Sequence, residues 1–228
     1  MAIHFLKGKA EMSQKQDENH NIEALSAKAP SSNRGLDALM RELKGQKYPP
    51  VHLWNPDFCG DMDMRIARDG QWYYMGTPIG RPEMVHLFST VLRYDQDTTE
   101  DNNENSIDYK SGKYFLITPV EKLGIIVEDA PFLAITMDVS GSGKDQIISF
   151  RTQTDDLIVV SDANPIMVEI DKETLEPSPY VLVRDHLRAL INRPLFYDLV
   201  EMAVEEKNED KTQLGVWSSG VFFIIGEI

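Results

Sequence analysis

The sequence has almost no cysteine and no long apolar run. Cys59 is the only cysteine among 228 residues, so no disulfide can form within the chain. The longest uninterrupted apolar run covers residues 221–225, far below the about 20 residues that a membrane-spanning helix needs. The N-terminal residues contain no apolar stretch of signal-peptide length. We therefore expect a cytoplasmic protein of a reducing compartment, with no membrane as a partner.

Positive charge is also scarce. The chain has 23 Lys and Arg against 37 Asp and Glu, a formal net charge of −14. Such a surface repels phosphate backbones and anionic lipid, so we expect no nucleic-acid or membrane partner. The imbalance is uneven, because residues 1–50 carry eight basic and six acidic side chains and the other 178 carry 15 and 31.

The common catalytic motifs are absent. The sequence contains no G-x-G-x-x-G, H-E-x-x-H or C-x-x-C pattern. The segment from Gly141 to Lys144 resembles a phosphate loop only superficially, since Asp138 and Asp145 stand where its first glycine and its Ser or Thr belong. We therefore expect no cofactor, and a binding protein is favoured over an enzyme.

The chain divides into three parts on composition. We expect an N-terminal extension over 1–50 with one helix at 33–45, where apolar residues recur at spacings of three and four. A first half over 51–128 contains a polar segment at 94–112, typical of a mobile acidic loop. A second half covers 129–228.

Strands outnumber helices in both halves, which predicts an α+β fold with antiparallel sheets. One helix is predicted from an apolar stripe over residues 84–92, with Pro82 in its first turn, and a second over about 185–205, kinked or split by Pro194. Each half reads strand, arginine (Arg81 or Arg184), helix, acidic segment, strand. This echo suggests duplicated halves with a pocket at their interface, although low residue identity leaves duplication open.

The segment around Asp69-Gly70 is the most informative one. Alternating residues on either side of it predict a hairpin with a two-residue turn. In that register Arg65 shares a face with Trp72 and Tyr74, where a guanidinium and two aromatic rings could bind a flat or phosphorylated ligand. The alternative is that the two rings pack under another element while Arg65 pairs with Asp63. A longer turn would shift the register and remove the argument.

Four further side chains, before the hairpin turn or beyond it, could carry chemistry. Asp61 and Asp63 lie two apart and would point the same way on a strand, so with Glu121 they could hold a divalent metal for hydrolysis. A bare D-x-D is a weak signal. Cys59 has no histidine nearby except His52, and we expect a buried, inert thiol.

Taken together, these residues resemble the domain-of-unknown-function 1285 family of bacteria. The resemblance covers roughly residues 50–228. The motifs that carry it are Asn55-Pro, the run from Cys59 to Gly70, Thr77 to Arg81, Thr118 to Glu121, Val127 to Phe132, Pro179-Tyr180, Val183-Arg184, and Arg193 with Tyr197. It implies a duplicated α+β fold whose second half is superficially like a pleckstrin-homology barrel. It also implies a nucleotide-type ligand between the halves, in signal transduction or stress response.

The leading hypothesis is therefore a cytoplasmic, ligand-binding regulatory protein with a small nucleotide-like or phosphorylated ligand and a possible signalling-protein partner. Arginines would contact the anionic part, an aromatic ring would stack on the base, and carboxylates would orient the arginines. The predicted ligand-binding residues are Asp61, Arg65, Arg68, Asp69, Trp72, Tyr74, Arg81, Asp129 and Arg184. A metal-assisted hydrolase and a protein-interaction module remain the alternatives.

Overall fold

The architecture comes from a computed structural model of the chain. It describes residues 48–96, 109, 112–208 and 211–227. The predicted helix at 33–45 and most of the predicted acidic loop at 94–112 lie outside the described residues. Tyr94 and Asp95 are described, and they end a strand rather than begin a loop.

Two six-stranded sheets form the body of the protein. A 3-10 turn at Val51–Leu53 precedes them. The elements of the first half are β1 (Phe58–Ile66), β2 (Trp72–Tyr74), β3 (Thr77–Pro78), α1 (Pro82–Thr90), β4 (Leu92–Asp95), β5 (Lys113–Ile117) and β6 (Lys122–Val127). Those that follow are β7 (Phe132–Ser140), a 3-10 turn (Gly143–Asp145), β8 (Ile147–Thr152), β9 (Leu157–Val159), β10 (Ile166–Ile170), β11 (Pro177–Arg184), β12 (Leu187–Ile191), α2 (Arg193–Glu201), β13 (Val204–Asn208), β14 (Lys211–Ser218) and β15 (Val221–Glu227).

The two large sheets have the same topology. The first has the order β3-β2-β1-β6-β5-β4, and the second has the order β9-β8-β7-β12-β11-β10. In each, two three-stranded antiparallel meanders are joined by a parallel pair, β1 with β6 and β7 with β12. A third sheet, β13-β14-β15, follows α2. Strands dominate and two α-helices accompany them among the described residues, so the α+β class is confirmed at this level. The prediction of antiparallel sheets is wrong at the centre of each large sheet, where the two meanders meet in a parallel pair.

The prediction of the second helix is wrong in its first part. Leu187–Ile191 is a strand, and α2 begins only after Asn192, whose side-chain oxygen accepts a 3.1 Å hydrogen bond from the Leu195 amide. Pro194 lies in the first turn of α2, the one place in a helix where its missing N–H costs nothing. Arg184 therefore ends a strand instead of starting a helix, and the proposed strand-arginine-helix echo does not hold in the second half. Helix α1 does begin at Pro82, as predicted.

The predicted two-residue hairpin turn is also wrong. Ile66 pairs with Trp72 and Met64 with Tyr74, and the Ala67 amide donates to the Gln71 carbonyl across a longer turn. This one-residue difference moves Trp72 and Tyr74 to the opposite face from Arg65, because side chains alternate along a strand. Both rings are buried in the core, which is the alternative that the sequence left open for them.

One hydrophobic core runs through both sheets. In the first half it contains Met64, Ile66 and Trp72, and in the second it contains Phe132 and Phe150, all at most 1% exposed. Because the sheets share this core, their polar edges are held in a fixed relation. This relation places a cavity between strands β5 and β6 on one side and strands β10 to β12 on the other.

Candidate functional site

A cavity of about 460 Å³ lies between the two halves. Its walls come from β5, β6 and the linker after β6 on one side, and from β10, β11 and β12 on the other. The volume falls in the range of about 300–1,000 Å³ that small-molecule sites occupy. No single segment of the chain could form it, since it needs strands from both sheets.

Arg188 on β12 is the central charged group of the cavity. Its side chain is 5% exposed, and its guanidinium lies over the rings of Tyr180 at 3.7 Å and Tyr109 at 4.1 Å. Nη1 forms an ion pair with Glu169 on β10. The buried Nε has no hydrogen-bond partner among the described residues. A buried donor without a partner is costly, and this Nε is a group to which a ligand acceptor could bind.

The hydroxyls of Tyr114 and Tyr180 belong to opposite walls of the cavity. The buried Tyr114 hydroxyl also has no hydrogen-bond partner among the described residues. The Tyr180 hydroxyl donates to Asp129 Oδ1 at 2.7 Å. Burial raises the pKa of Tyr114 and of Tyr180 well above the ordinary value, and for Tyr180 the bond to Asp129 adds to that rise. Both hydroxyls therefore remain protonated near neutral pH, but only that of Tyr114 is an unused donor, because the Tyr180 hydroxyl already donates its one hydrogen to Asp129.

The linker between the halves supplies two carboxylates, and hairpin arginines neutralise both. Glu128 forms an ion pair with Arg65, whose guanidinium also lies 4.2 Å from the ring of Tyr73. The Arg68 backbone amide donates to Glu128 at 3.1 Å, and Arg68 Nε lies 3.1 Å from Asp129 Oδ2. These contacts tie the β1–β2 hairpin to the edge of the cavity.

Of the predicted ligand-binding residues, Asp129 lines this cavity and Arg65 and Arg68 bind its carboxylates. The others lie elsewhere. Arg81 is exposed at the start of α1, and Asp69 accepts from the Gln71 amide at 3.0 Å within the exposed turn. The structure therefore does not bring Arg65, Trp72 and Arg81 together, and the predicted aromatic platform is wrong in its two rings.

Arg184 forms a second buried contact between the halves. It lies 3.2 Å from Asp156 Oδ1, donates to the Ser89 carbonyl at 2.6 Å, and covers the rings of Tyr48 and Phe132. Tyr48 also donates to Asp156, which is 2% exposed. Arg184 does not line the cavity. Its contacts with Asp156 and the Ser89 carbonyl connect the two halves, and we call this group of residues the clamp.

Comparisons with known proteins agree with this architecture. Residues 49–100 match the domain of unknown function DUF1285, N-terminal domain, and residues 131–225 match the protein of unknown function DUF1285, C-terminal domain. The crystal structure of a DUF1285 family protein from Silicibacter pomeroyi DSS-3 is 45% identical, with a TM-score of 0.66, over 83% of this chain and 95% of that one. This chain belongs to the DUF1285 family.

Another DUF1285 family structure, from Shewanella baltica OS155, is 24% identical with a TM-score of 0.43, over 62% of this chain and 92% of that one. A comparison with curated proteins returned no match. The resemblance inferred from the motifs is thus confirmed, while the function of this DUF1285 protein has to be argued from its own side chains.

The proposed metal site gains no support from the geometry of this DUF1285 chain. Asp61 is exposed on β1 beside Gly124, and Glu121 lies in the turn between β5 and β6. Within the described ranges no three His, Cys, Asp or Glu side chains are grouped so as to hold a metal ion. Cys59 is exposed rather than buried as predicted, and its Sγ donates to the Asp57 carbonyl at 3.3 Å.

Sequence reasoning missed most of the cavity's own side chains. These are Tyr109, Tyr114, Glu169, Tyr180 and Arg188. The helix predicted over about 185–205 includes Arg188, which lies on a strand instead. Even in a strand, an arginine between Leu187 and Ala189 follows the usual alternation of an exposed charge with buried apolar residues, so no local signal marks its burial. No helix in the described part of the chain is long and apolar enough to cross a membrane.

Proposed function

We propose that this DUF1285 protein is a ligand-binding regulatory protein whose site is the cavity between its two halves. Its ligand is a small anion of mononucleotide size with exposed acceptor oxygens. The observation that carries the proposal is the buried Arg188 Nε, a cationic donor with no partner among the described residues. A compartment that keeps Cys59 reduced, hence the cytoplasm, agrees with its exposure as a free thiol.

The local charge supports an anionic ligand in an otherwise acidic chain. Three carboxylates line the cavity, and four basic side chains line it or bind those carboxylates. They are Glu128, Asp129 and Glu169 against Arg65, Arg68, Lys113 and Arg188. Each carboxylate has an arginine partner, so an incoming anion meets neutralised acids and two unused donors, Arg188 Nε and the Tyr114 hydroxyl.

The aromatic walls support a ligand with a flat portion. Tyr109, Tyr114 and Tyr180 line the cavity together with the apolar Ile125. Such walls favour a planar ring system, and protein donors give it orientation. A phosphorylated heterocycle combines both features, which makes a mononucleotide the first probe to use.

The shared order of the two large sheets supports a further proposal, that the halves arose by duplication. The family resemblance implies that the second half is like a pleckstrin-homology barrel. It also implies a regulatory role in signalling or stress response, with a protein partner. In such a role, ligand binding would alter how the halves are held together.

The test uses AMP, GMP and inorganic phosphate with the intact chain, by thermal shift and calorimetry. A ligand at 100 times its Kd stabilises by about 2.7 kcal/mol, which raises the melting temperature by roughly 5–10 °C in a protein of this size. Tyr114→Phe removes one donor and should weaken binding about 2- to 10-fold, whereas Tyr197→Phe on the exposed face of α2 should not change it. Absence of any stabilisation by the probes, or equal binding by Tyr114→Phe, would contradict the proposal.

A further inference from the structure

The Arg188–Glu169 ion pair is strongly asymmetric in its exposure to water. The Arg188 side chain is 5% exposed, whereas the Glu169 side chain is 44% exposed. A buried guanidinium requires a counter-anion, because an uncompensated charge in a low-dielectric interior is very unfavourable. A half-exposed carboxylate has no such requirement, since water can hydrate it.

The position of Glu169 in the fold allows it to leave. It lies on β10, the last strand in the order of the second sheet, while Arg188 lies on β12, which has a paired strand on each side. Arg188 is further fixed between tyrosine rings. Of the two partners, Glu169 is therefore the one that can turn away into solvent while the other stays in place.

The groups around Arg188 fit an exchange of one anion for another. Nε and the Tyr114 hydroxyl are buried donors that Glu169 leaves without a partner, so the glutamate satisfies this pocket only in part. An anion with several oxygens could accept from Nη1 and from these donors together. Such an anion would compensate the charge of Arg188 after Glu169 has turned away.

We propose that Glu169 occupies the place of the ligand's anionic group and is the residue that limits the affinity of the cavity for anions. This inference rests on the proposed function, because it concerns the same site. Binding then consists of an exchange in which the ligand anion takes over Arg188 and Glu169 turns to water. Glu169 selects against neutral ligands, which cannot replace its charge.

Glu128 provides a matched control. It lines the same cavity and is 42% exposed, nearly the same as Glu169, but its ion pair is with Arg65. Glu169→Gln and Glu128→Gln remove the same charge from the same cavity. They differ in which cation loses its internal anion, which is Arg188 in the first variant and Arg65 in the second.

The experiment measures the affinity of the wild-type chain and both variants for AMP and for inorganic phosphate by calorimetry. Glu169→Gln should bind about tenfold or more tightly than wild type, as expected when one charge-assisted competitor is removed. Its melting temperature without ligand should fall and recover on addition of phosphate. Glu128→Gln should change affinity much less. Equal tightening in both variants, or no tightening in Glu169→Gln, would overturn the inference.

The outcomes separate this inference from the proposed function. Binding by wild type that Glu169→Gln leaves unchanged would retain the cavity as a ligand site and refute the role of Glu169. Binding by Glu169→Gln alone would support the role of Glu169 but contradict the proposed function of the wild-type chain. If none of the three chains binds either probe, both fall. Should Glu169→Gln fail to fold, Glu169→Asp keeps the charge but shortens its reach, and it should tighten binding to a smaller degree; unchanged affinity would count against the inference.

Discussion

Arg184 and Arg188 lie four residues apart and both lie between the two halves, yet their surroundings differ. Arg184 binds Asp156, which is 2% exposed, and donates to the Ser89 carbonyl. Arg188 binds Glu169, which is 44% exposed, and keeps its buried Nε without a partner in the described chain. The first arginine connects Asp156 of the second half with the Ser89 carbonyl of the first. The second retains an unused donor and a half-exposed partner, and the proposed binding site rests on these two features.

The largest expected effect is on the Arg184 contact. Arg184→Ala leaves Asp156 buried without its cation, and breaking a buried pair from one side costs about 3–5 kcal/mol. Urea unfolding should register this loss directly. The control is Arg193→Ala, whose pair with Glu176 is exposed on both sides and is worth about 0–1 kcal/mol. Equal losses in the two variants would end the distinction between a clamp and a surface pair.

A smaller stability effect, with a larger effect on binding, is expected at Arg188. Arg188→Met keeps an apolar stem against Tyr109 and Tyr180 but removes the cation–π contacts, at a cost of about 1–2 kcal/mol. The loss is limited because Glu169 can return to water. Stabilisation by AMP or phosphate should disappear in this variant. A loss of stability as large as that of Arg184→Ala would make Arg188 a second clamp.

A third prediction uses alkaline pH to test the burial of the Tyr114 hydroxyl in the cavity. Burial raises the pKa of Tyr114, so its contribution to stability is fully present below the unfolded-state value of about 10 and is lost as pH rises towards the folded-state value. Above about pH 10 the free energy of unfolding should fall by up to about 1.4 kcal/mol per pH unit for this group. Tyr114→Phe should flatten that slope in urea titrations, and Tyr197→Phe should leave it unchanged. A slope unaffected by Tyr114→Phe would mean that this hydroxyl is accessible to water.

The smallest effect is expected at the edge of the cavity. Arg68 pairs with Asp129, but its side chain is 64% exposed, so Arg68→Ala should cost less than about 1 kcal/mol. Asp129 keeps its bond from the Tyr180 hydroxyl in this variant. A loss of several kcal/mol in urea unfolding would show that the hairpin is part of the clamp between the halves.

Local patterns predicted much of the first half correctly. Pro82 and the apolar spacing after it gave helix α1, and the alternation around Asp69-Gly70 gave a hairpin. The register of that hairpin was predicted wrongly, because a turn longer by one residue keeps the same alternating pattern but moves the side chains of the second strand to the opposite face of the sheet. In the second half, Leu187, Leu190 and Ile191 suit either a helix or a strand, and the strand formed.

The sequence by itself determined the family, the α+β class and the part of the chain where arginines and carboxylates concentrate, because these depend on composition and on motifs of neighbouring residues. Tertiary structure alone decided the site. Tyr114, Glu169 and Arg188 come from three strands of two sheets, and no local pattern reports a distance between them. Which arginine is satisfied and which keeps an unused donor follows from burial and partner geometry, and these exist only once the two sheets share a core.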